Sequence, residues 1–137
     1  MRQFSKNEFL EPPFRLEGLE KLLINKNVLN QIILTDEPVV GTDKFNADFN
    51  VINIDDNIFK CTNLKSNALV LVYNASKIGD LNIDRNRMEN NVIKMKIYTA
   101  IVKNSKIDNM KLEGNTLKNI ESTNIDDKSK VYHKLYK

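Results

Sequence analysis

Apolar residues fall along this chain in short alternating runs. Ile52-Asn53-Ile54 and Leu81-Asn82-Ile83 have the period of two that marks a strand with one face in a core and the other in water. The runs themselves repeat. Asn53-Ile54-Asp55-Asp56-Asn57-Ile58-Phe59-Lys60-Cys61 is echoed 29 residues later by Asn82-Ile83-Asp84-Arg85-Asn86-Arg87-Met88-Glu89-Asn90, and after 29 more by Lys111-Leu112-Glu113-Gly114-Asn115-Thr116-Leu117-Lys118-Asn119. A copy upstream, offset by 30, aligns Leu19, Leu22, Ile24, Asn27 and Leu29 with Phe49, Ile52, Ile54, Asn57 and Phe59.

Written one above another, the copies give four apolar columns: Leu19, Phe49, Ile78, Ile107; Leu22, Ile52, Leu81, Met110; Ile24, Ile54, Ile83, Leu112; and Leu29, Phe59, Met88, Leu117. A repeat of this length that holds short strands and no helical stretch predicts an all-β solenoid of about four coils, 29–30 residues per coil. Each coil adds one strand, and about 4.8 Å of rise, to each parallel sheet.

A polar column runs beside the apolar ones. Asn27, Asn57, Asn86 and Asn115 each follow the third apolar column by three residues, at the bend that closes the strand. Stacked at strand spacing, each side-chain amide can donate to the carbonyl of the next, so an internal asparagine ladder is expected. The chain holds 20 Asn against 4 Gly and 3 Pro, and Asn can take the left-handed backbone that turns otherwise assign to Gly.

A second strand per coil is expected at Leu69–Tyr73, at Ile97–Val102 and at Val39-Val40, with Leu10 in the same column as Val39. These strands lack the alternation of a half-buried strand: Leu69 to Tyr73 has no polar break, and Ile97 to Val102 has only Thr99. Val70, Val72, Ile97 and Ile101 are therefore expected to face outward and to be covered by another chain. The organisation expected is an N-terminal strand or partial coil over 1–18, coils over 19–119, and an irregular segment over 120–137. That last segment holds a possible final strand at Val131–Tyr136. Neither end shows an evident cap.

Strand-turn units such as Leu81-Asn82-Ile83-Asp84-Arg85-Asn86-Arg87-Met88 and Met110-Lys111-Leu112-Glu113-Gly114-Asn115-Thr116-Leu117 resemble the coils of the right-handed parallel β-helix superfamily. That superfamily, pectate-lyase-like, includes many phage tailspikes. The resemblance covers about residues 19 to 119. It implies a single-stranded parallel β-helix, right-handed, and for the outward apolar strands a homotrimer of parallel solenoids or neighbouring virion subunits. Activity does not follow from it, because the superfamily holds lyases, hydrolases, esterases, adhesins and virion spikes.

Composition narrows the chemistry. Ile, Leu, Val and Phe make up 43 of the 137 residues, enough for a folded core. No apolar run is long enough to span a membrane, and the first residues show no export signal, so a soluble domain made without export is expected. One cysteine, Cys61, excludes an internal disulfide, and with one histidine, His133, it excludes the usual zinc sites. No phosphate-cradling loop, serine elbow or metal motif is present. No cofactor is expected. Residues 1–84 carry net charge −3 and 85–137 net +6, which in a solenoid is an axial gradient that suits docking of a basic end on an acidic surface.

The one candidate constellation is the column after the third apolar one, Asp55, Asp84 and Glu113. Carboxylates about 5 Å apart on adjacent strands could serve a retaining glycosidase, bind polysaccharide, or hold a hard cation. The alternative is a solvated edge relieved by Arg85, Arg87 and Lys111. The function expected is a non-enzymatic structural or receptor-binding module of a larger assembly, a virion appendage such as a tail spike or fibre. The alternatives are a polysaccharide-processing enzyme using Asp55, Asp84 and Glu113, or an intracellular adaptor or inhibitor. Cell-surface polysaccharide is a possible ligand; neither nucleic acid nor membrane insertion is expected.

Overall fold

A computed structural model describes residues 2–5, 21–41, 43–62, 64, 66–91 and 94–137. In it Leu22 and Ile24, Ile52 and Ile54, and Leu81 and Ile83 point into one core, with Leu23, Asn53 and Asn82 between them half-buried on the outer face. Alternation has thus set the faces of the first sheet, sheet I. Its strands lie in chain order: Arg2–Ser5, Lys21–Asn25, Val51–Asp55, Ile78–Asp84, Lys106–Glu113 and Lys130–Tyr136. Every neighbouring pair is parallel.

Two further sheets are parallel throughout. Sheet II aligns Val28–Leu29, Ile58–Phe59, Arg87–Glu89 and Thr116–Lys118. Sheet III runs Lys44–Asn46, Ile32–Thr35, Ala68–Tyr73, Tyr98–Lys103 and Asn124–Ile125. Among the described residues there is no helix, so the fold is all-β, built of parallel strands. The chain visits sheets I, II and III in turn and then returns to sheet I one strand further along, which gives the architecture a solenoid-like character.

The registers of sheets I and II follow the expected columns. Leu22 pairs with Ile52, Ile52 with Leu81 and Leu81 with Met110; Ile24, Ile54, Ile83 and Leu112 do likewise. Leu29, Phe59, Met88 and Leu117 align in sheet II. Leu19 and Leu10 lie outside the described residues, as does most of the segment 1–18.

The bend after sheet I carries the asparagines. Asn27 Nδ2 donates to Asn57 Oδ1 at 3.2 Å, Asn57 Nδ2 to Asn86 Oδ1 at 3.0 Å, and Asn86 Nδ2 to Asn115 Oδ1 at 3.1 Å. The same oxygens also accept from the backbone N–H of Asn27, Asn57 and Asn86 at 3.1, 2.9 and 2.9 Å. Each amide reaches back as well, from Asn57 to the Ile24 carbonyl, Asn86 to Ile54 and Asn115 to Ile83. The left-handed residue at this bend is the one before each Asn: Lys26, Asp56, Arg85 and Gly114, with φ of 57°, 55°, 54° and 70°. Asn does take that conformation at the bend between sheets III and I, at Asn74 and Asn104.

Sheet III departs from expectation. Val39-Val40 is not a strand; Val40 is exposed and Val39 buried in the connection after Ile32–Thr35. Ile32 pairs with Val70 across 38 residues, because the chain leaves Ile32–Thr35 to add Lys44–Asn46 on that strand's other side before returning to sheet I. The segment 120–137 is more regular than expected, since Asn124–Ile125 and Lys130–Tyr136 extend sheets III and I.

The outward placement of Val70, Val72, Ile97 and Ile101 is corrected. All four are buried within the single chain, at 0, 0, 1 and 5% exposure. Val70 and Val72 share columns with Ile32 and Leu34 and with Ala100 and Val102, and all six belong to the interior cluster. Ile101 has the opposite parity, beside Leu71 and Ile33, yet is buried too. A strand apolar at every position carries no polar marker of its outer face, and a shift of one residue exchanges the faces. These side chains therefore offer no surface to a partner.

Candidate functional site

The acidic column ends three strands of sheet I. Asp55 pairs in register with Asp84, and Asp84 with Glu113, because each follows the residue of the third apolar column, Ile54, Ile83 and Leu112. Pleating points them outward, and the left-handed residue that follows them turns the chain away.

Their partners absorb most of the charge. Asp84 is 5% exposed; Lys111 Nζ lies 3.1 Å from its Oδ2, and its Oδ1 accepts the Glu113 backbone N–H at 3.1 Å. Arg85 binds Asp55 Oδ2 at 2.8 Å and, through Nε, Asp56 Oδ1 at 3.4 Å. Arg87 does not join them, being turned to Glu89 at 3.5 Å. Asp55 Oδ1 is buried and, among the described residues, has no hydrogen-bond partner. Burial raises the Asp55 pKa above the usual carboxylate value and Asp56 adds to the rise, against the pull of Arg85. Glu113 is exposed to solvent.

The outer face beside the acids is a polar lattice. Asn82 Nδ2 donates to Asn53 Oδ1 at 2.8 Å, and Asn109 Nδ2 to Asp80 Oδ1 at 2.7 Å. His133 is exposed and aligns with Asn109 and Asp80. That column lies four residues along the strand from the acids, about 13 Å, so the histidine is not paired with them. Cys61 is buried and its thiol pKa is raised by that burial, which keeps it protonated and out of reach of a substrate. No three His, Cys, Asp or Glu side chains among the described residues gather to hold a metal ion.

The concave features lie elsewhere. A shallow polar depression of about 340 Å³ sits on the bend between sheets III and I, lined by Asn74, Ser76, Asn104, Lys106 and Lys128. A smaller one of about 200 Å³, more apolar, opens at the C-terminal end beside Leu112, Leu117 and Tyr136. Neither adjoins Asp55 or Asp84, so the acids stand on an open face and line no cleft described here. Sequence patterning placed the acids together and named Arg85 and Lys111 as their relief. It missed the C-terminal depression, which arises because sheet I extends to Tyr136 while sheet II stops at Lys118.

No protein-family profile matches the chain, and no curated protein or solved structure shows significant similarity to it.

Proposed function

We propose that the chain is a non-enzymatic structural or receptor-binding module of a larger assembly, folded as a single-stranded parallel β-helix of about four coils. The observation that carries this reading is the state of its acids. Asp84 is buried against Lys111, Asp55 Oδ2 is bound by Arg85, and the two stand on an open face outside the depressions of the surface, so no cleft described here holds a sugar against them. A retaining pair needs two carboxyl groups flanking one glycosidic bond, one to protonate its oxygen and the other to attack the anomeric carbon.

Return of the chain to sheets I and II at intervals of 29 or 30 residues up to Lys118 supports the β-helix, and so does the continuous chain of asparagine amides. Such a rod is stiff along its axis and offers flat polar faces, which suits an appendage that carries or displays contacts. A virion spike or fibre, as the sequence resemblance implies, is the setting proposed. Assembly through Val70, Val72, Ile97 and Ile101 is not part of the proposal, because those side chains are already buried.

Incubation with a panel of bacterial surface polysaccharides tests the reading. The expected outcome is no release of reducing or unsaturated sugar ends. Release that disappears in the Asp55→Asn, Asp84→Asn double variant would replace it with the enzymatic alternative.

A further inference from the structure

In three successive coils a lysine stands where sheet I begins. Lys106 is in register with Lys130, and Lys77, which precedes the Ile78 partner of Ile107, continues the column. All three are exposed, and neighbouring strands hold their backbones about 4.8 Å apart, close enough for like charges to repel. Lys77 is relieved by Asp108, 3.8 Å away. Among the described residues, the side chains of Lys106, Lys130 and the nearby Lys128 form no ion pair.

Beside these lysines the bend from sheet III into sheet I is hollowed. Two adjoining coils, at 74–76 and 104–106, make the floor of the depression of about 340 Å³, and its lining includes Lys106 and Lys128 and no carboxylate. The acids around it are engaged. Asp36 Oδ2 accepts the Ser76 N–H at 2.7 Å, and Glu37 Oε2 accepts from Asn74 Nδ2 at 3.3 Å. Asp126 Oδ1 takes the backbone N–H of Asn104 and of Lys128 and the Ser129 hydroxyl, at 3.3, 3.1 and 2.9 Å. Asp127 is exposed and does not line the depression.

We infer that this depression binds a phosphate dianion, free or as the monoester of a small polar molecule. A phosphate monoester carries about −1.5 to −2 at pH 7, which answers Lys106 and Lys128 together, whereas a carboxylate or a sulfate ester would neutralise one of them. The Ser76 hydroxyl supplies a further donor. Asn104 Nδ2 donates to Asn74 Oδ1 at 2.8 Å, which fixes the floor on which the anion rests. Amides and hydroxyls in the rest of the lining favour a hydroxylated remainder over an apolar one. Lys106 lies seven residues along its strand from Glu113, about 20 Å, so the site is separate from the acidic column.

Nuclear magnetic resonance titration of the isotope-labelled full chain tests it, with glucose 6-phosphate, inorganic phosphate, glucose 6-sulfate and glucose as probes. Expected are saturable shifts centred on Asn104–Lys106 and Lys128 with glucose 6-phosphate, binding at least about fivefold tighter than glucose 6-sulfate, and no binding of glucose. Inorganic phosphate bound as tightly as the ester would assign the site to the free ion, and weaker binding would assign it to the ester. Lys106→Gln and Lys128→Gln should each weaken binding by about fivefold, the upper end of what one exposed ion pair supplies, and added salt should weaken it too. Lys77→Gln, in the same column and already paired, should leave it within about twofold. These three lysines are exposed, and melting temperatures check the fold of the variants. Absence of saturable binding of either phosphate, equal binding of the phosphate and sulfate esters, or binding that survives the Lys106→Gln, Lys128→Gln double variant overturns the inference. None of these titrations reads sugar release, so failure here is distinct from failure of the non-enzymatic reading.

Discussion

Each buried asparagine amide is a small two-way connector. Asn86 accepts from the Asn57 N–H and Nδ2 and donates to Asn115 Oδ1 and the Ile54 carbonyl, at 1% exposure. Replacing it with leucine strands groups on three rungs, so Asn86→Leu should cost at least about 3 kcal/mol, whereas Asn115→Leu, half-buried at the end of the run, should cost about 1 kcal/mol. Chemical denaturation of both variants measures the difference, and equal losses would contradict the account. Asp55 behaves in the opposite sense. Its carboxyl has a raised pKa in the folded chain, so the unfolded chain gives up its proton first as pH rises, and stability falls between the ordinary value of 3.8 and the folded value. Asp55→Asn is therefore expected to raise the melting temperature at pH 7, with the gain vanishing near pH 3, where both states are protonated; a loss at neutral pH would show that the Arg85 pair outweighs burial. The asparagine column was legible in the sequence because four identical residues recur at the repeat. The preceding left-handed residues were not, since Lys26, Asp56, Arg85 and Gly114 share a backbone angle and no side-chain chemistry.

Among the strands, sheet I shows how closely the coils approach. A Cβ added to Gly79 would lie 2.3 Å from the Asn50 carbonyl oxygen, which accepts the Asp80 N–H at 2.7 Å. Neither backbone can retreat without breaking that bond. Gly79→Ala should destabilise by about 2–3 kcal/mol, read from thermal or urea unfolding, although the residue is in a strand and not in a turn. An unchanged midpoint would mean that the two coils stand further apart than described. The registers of this sheet could be read in advance because its strands alternate and its repeat is constant at 29 or 30 residues up to Glu113. Sheet III could not be read so. The pairs Ile32 with Val70, Ala68 with Tyr98 and Ile101 with Asn124 are separated by 38, 30 and 23 residues, since the connections on this side differ in length from coil to coil. Val39 kept the expected spacing and lost the strand to Ile32–Thr35, four residues that are all buried.

Taken as one body, the chain covers its own apolar strands. Val70 is fully buried in the interior cluster, so Val70→Asp should abolish the cooperative thermal transition or lower stability by at least about 4 kcal/mol, through an unpaired charge placed among aliphatic side chains. Dissociation of an oligomer into folded coils of unchanged melting temperature would instead restore an intermolecular role for that strand. Large apolar side chains that remain exposed are divided between Val28, Val40, Ile58 and Met95 along the chain and Leu117, Tyr132, Leu135 and Tyr136 towards its C-terminal end. Parallel strands, their order in sheet I and the amide column follow from alternation and a near-constant period, which are local signals repeated until chance is excluded. Burial of Val70, Val72, Ile97 and Ile101 and the added strand Lys44–Asn46 follow from the packing of the three sheets around one interior. In a uniformly apolar strand the inner face is chosen by what packs against it, and those contacts come from residues tens of positions away.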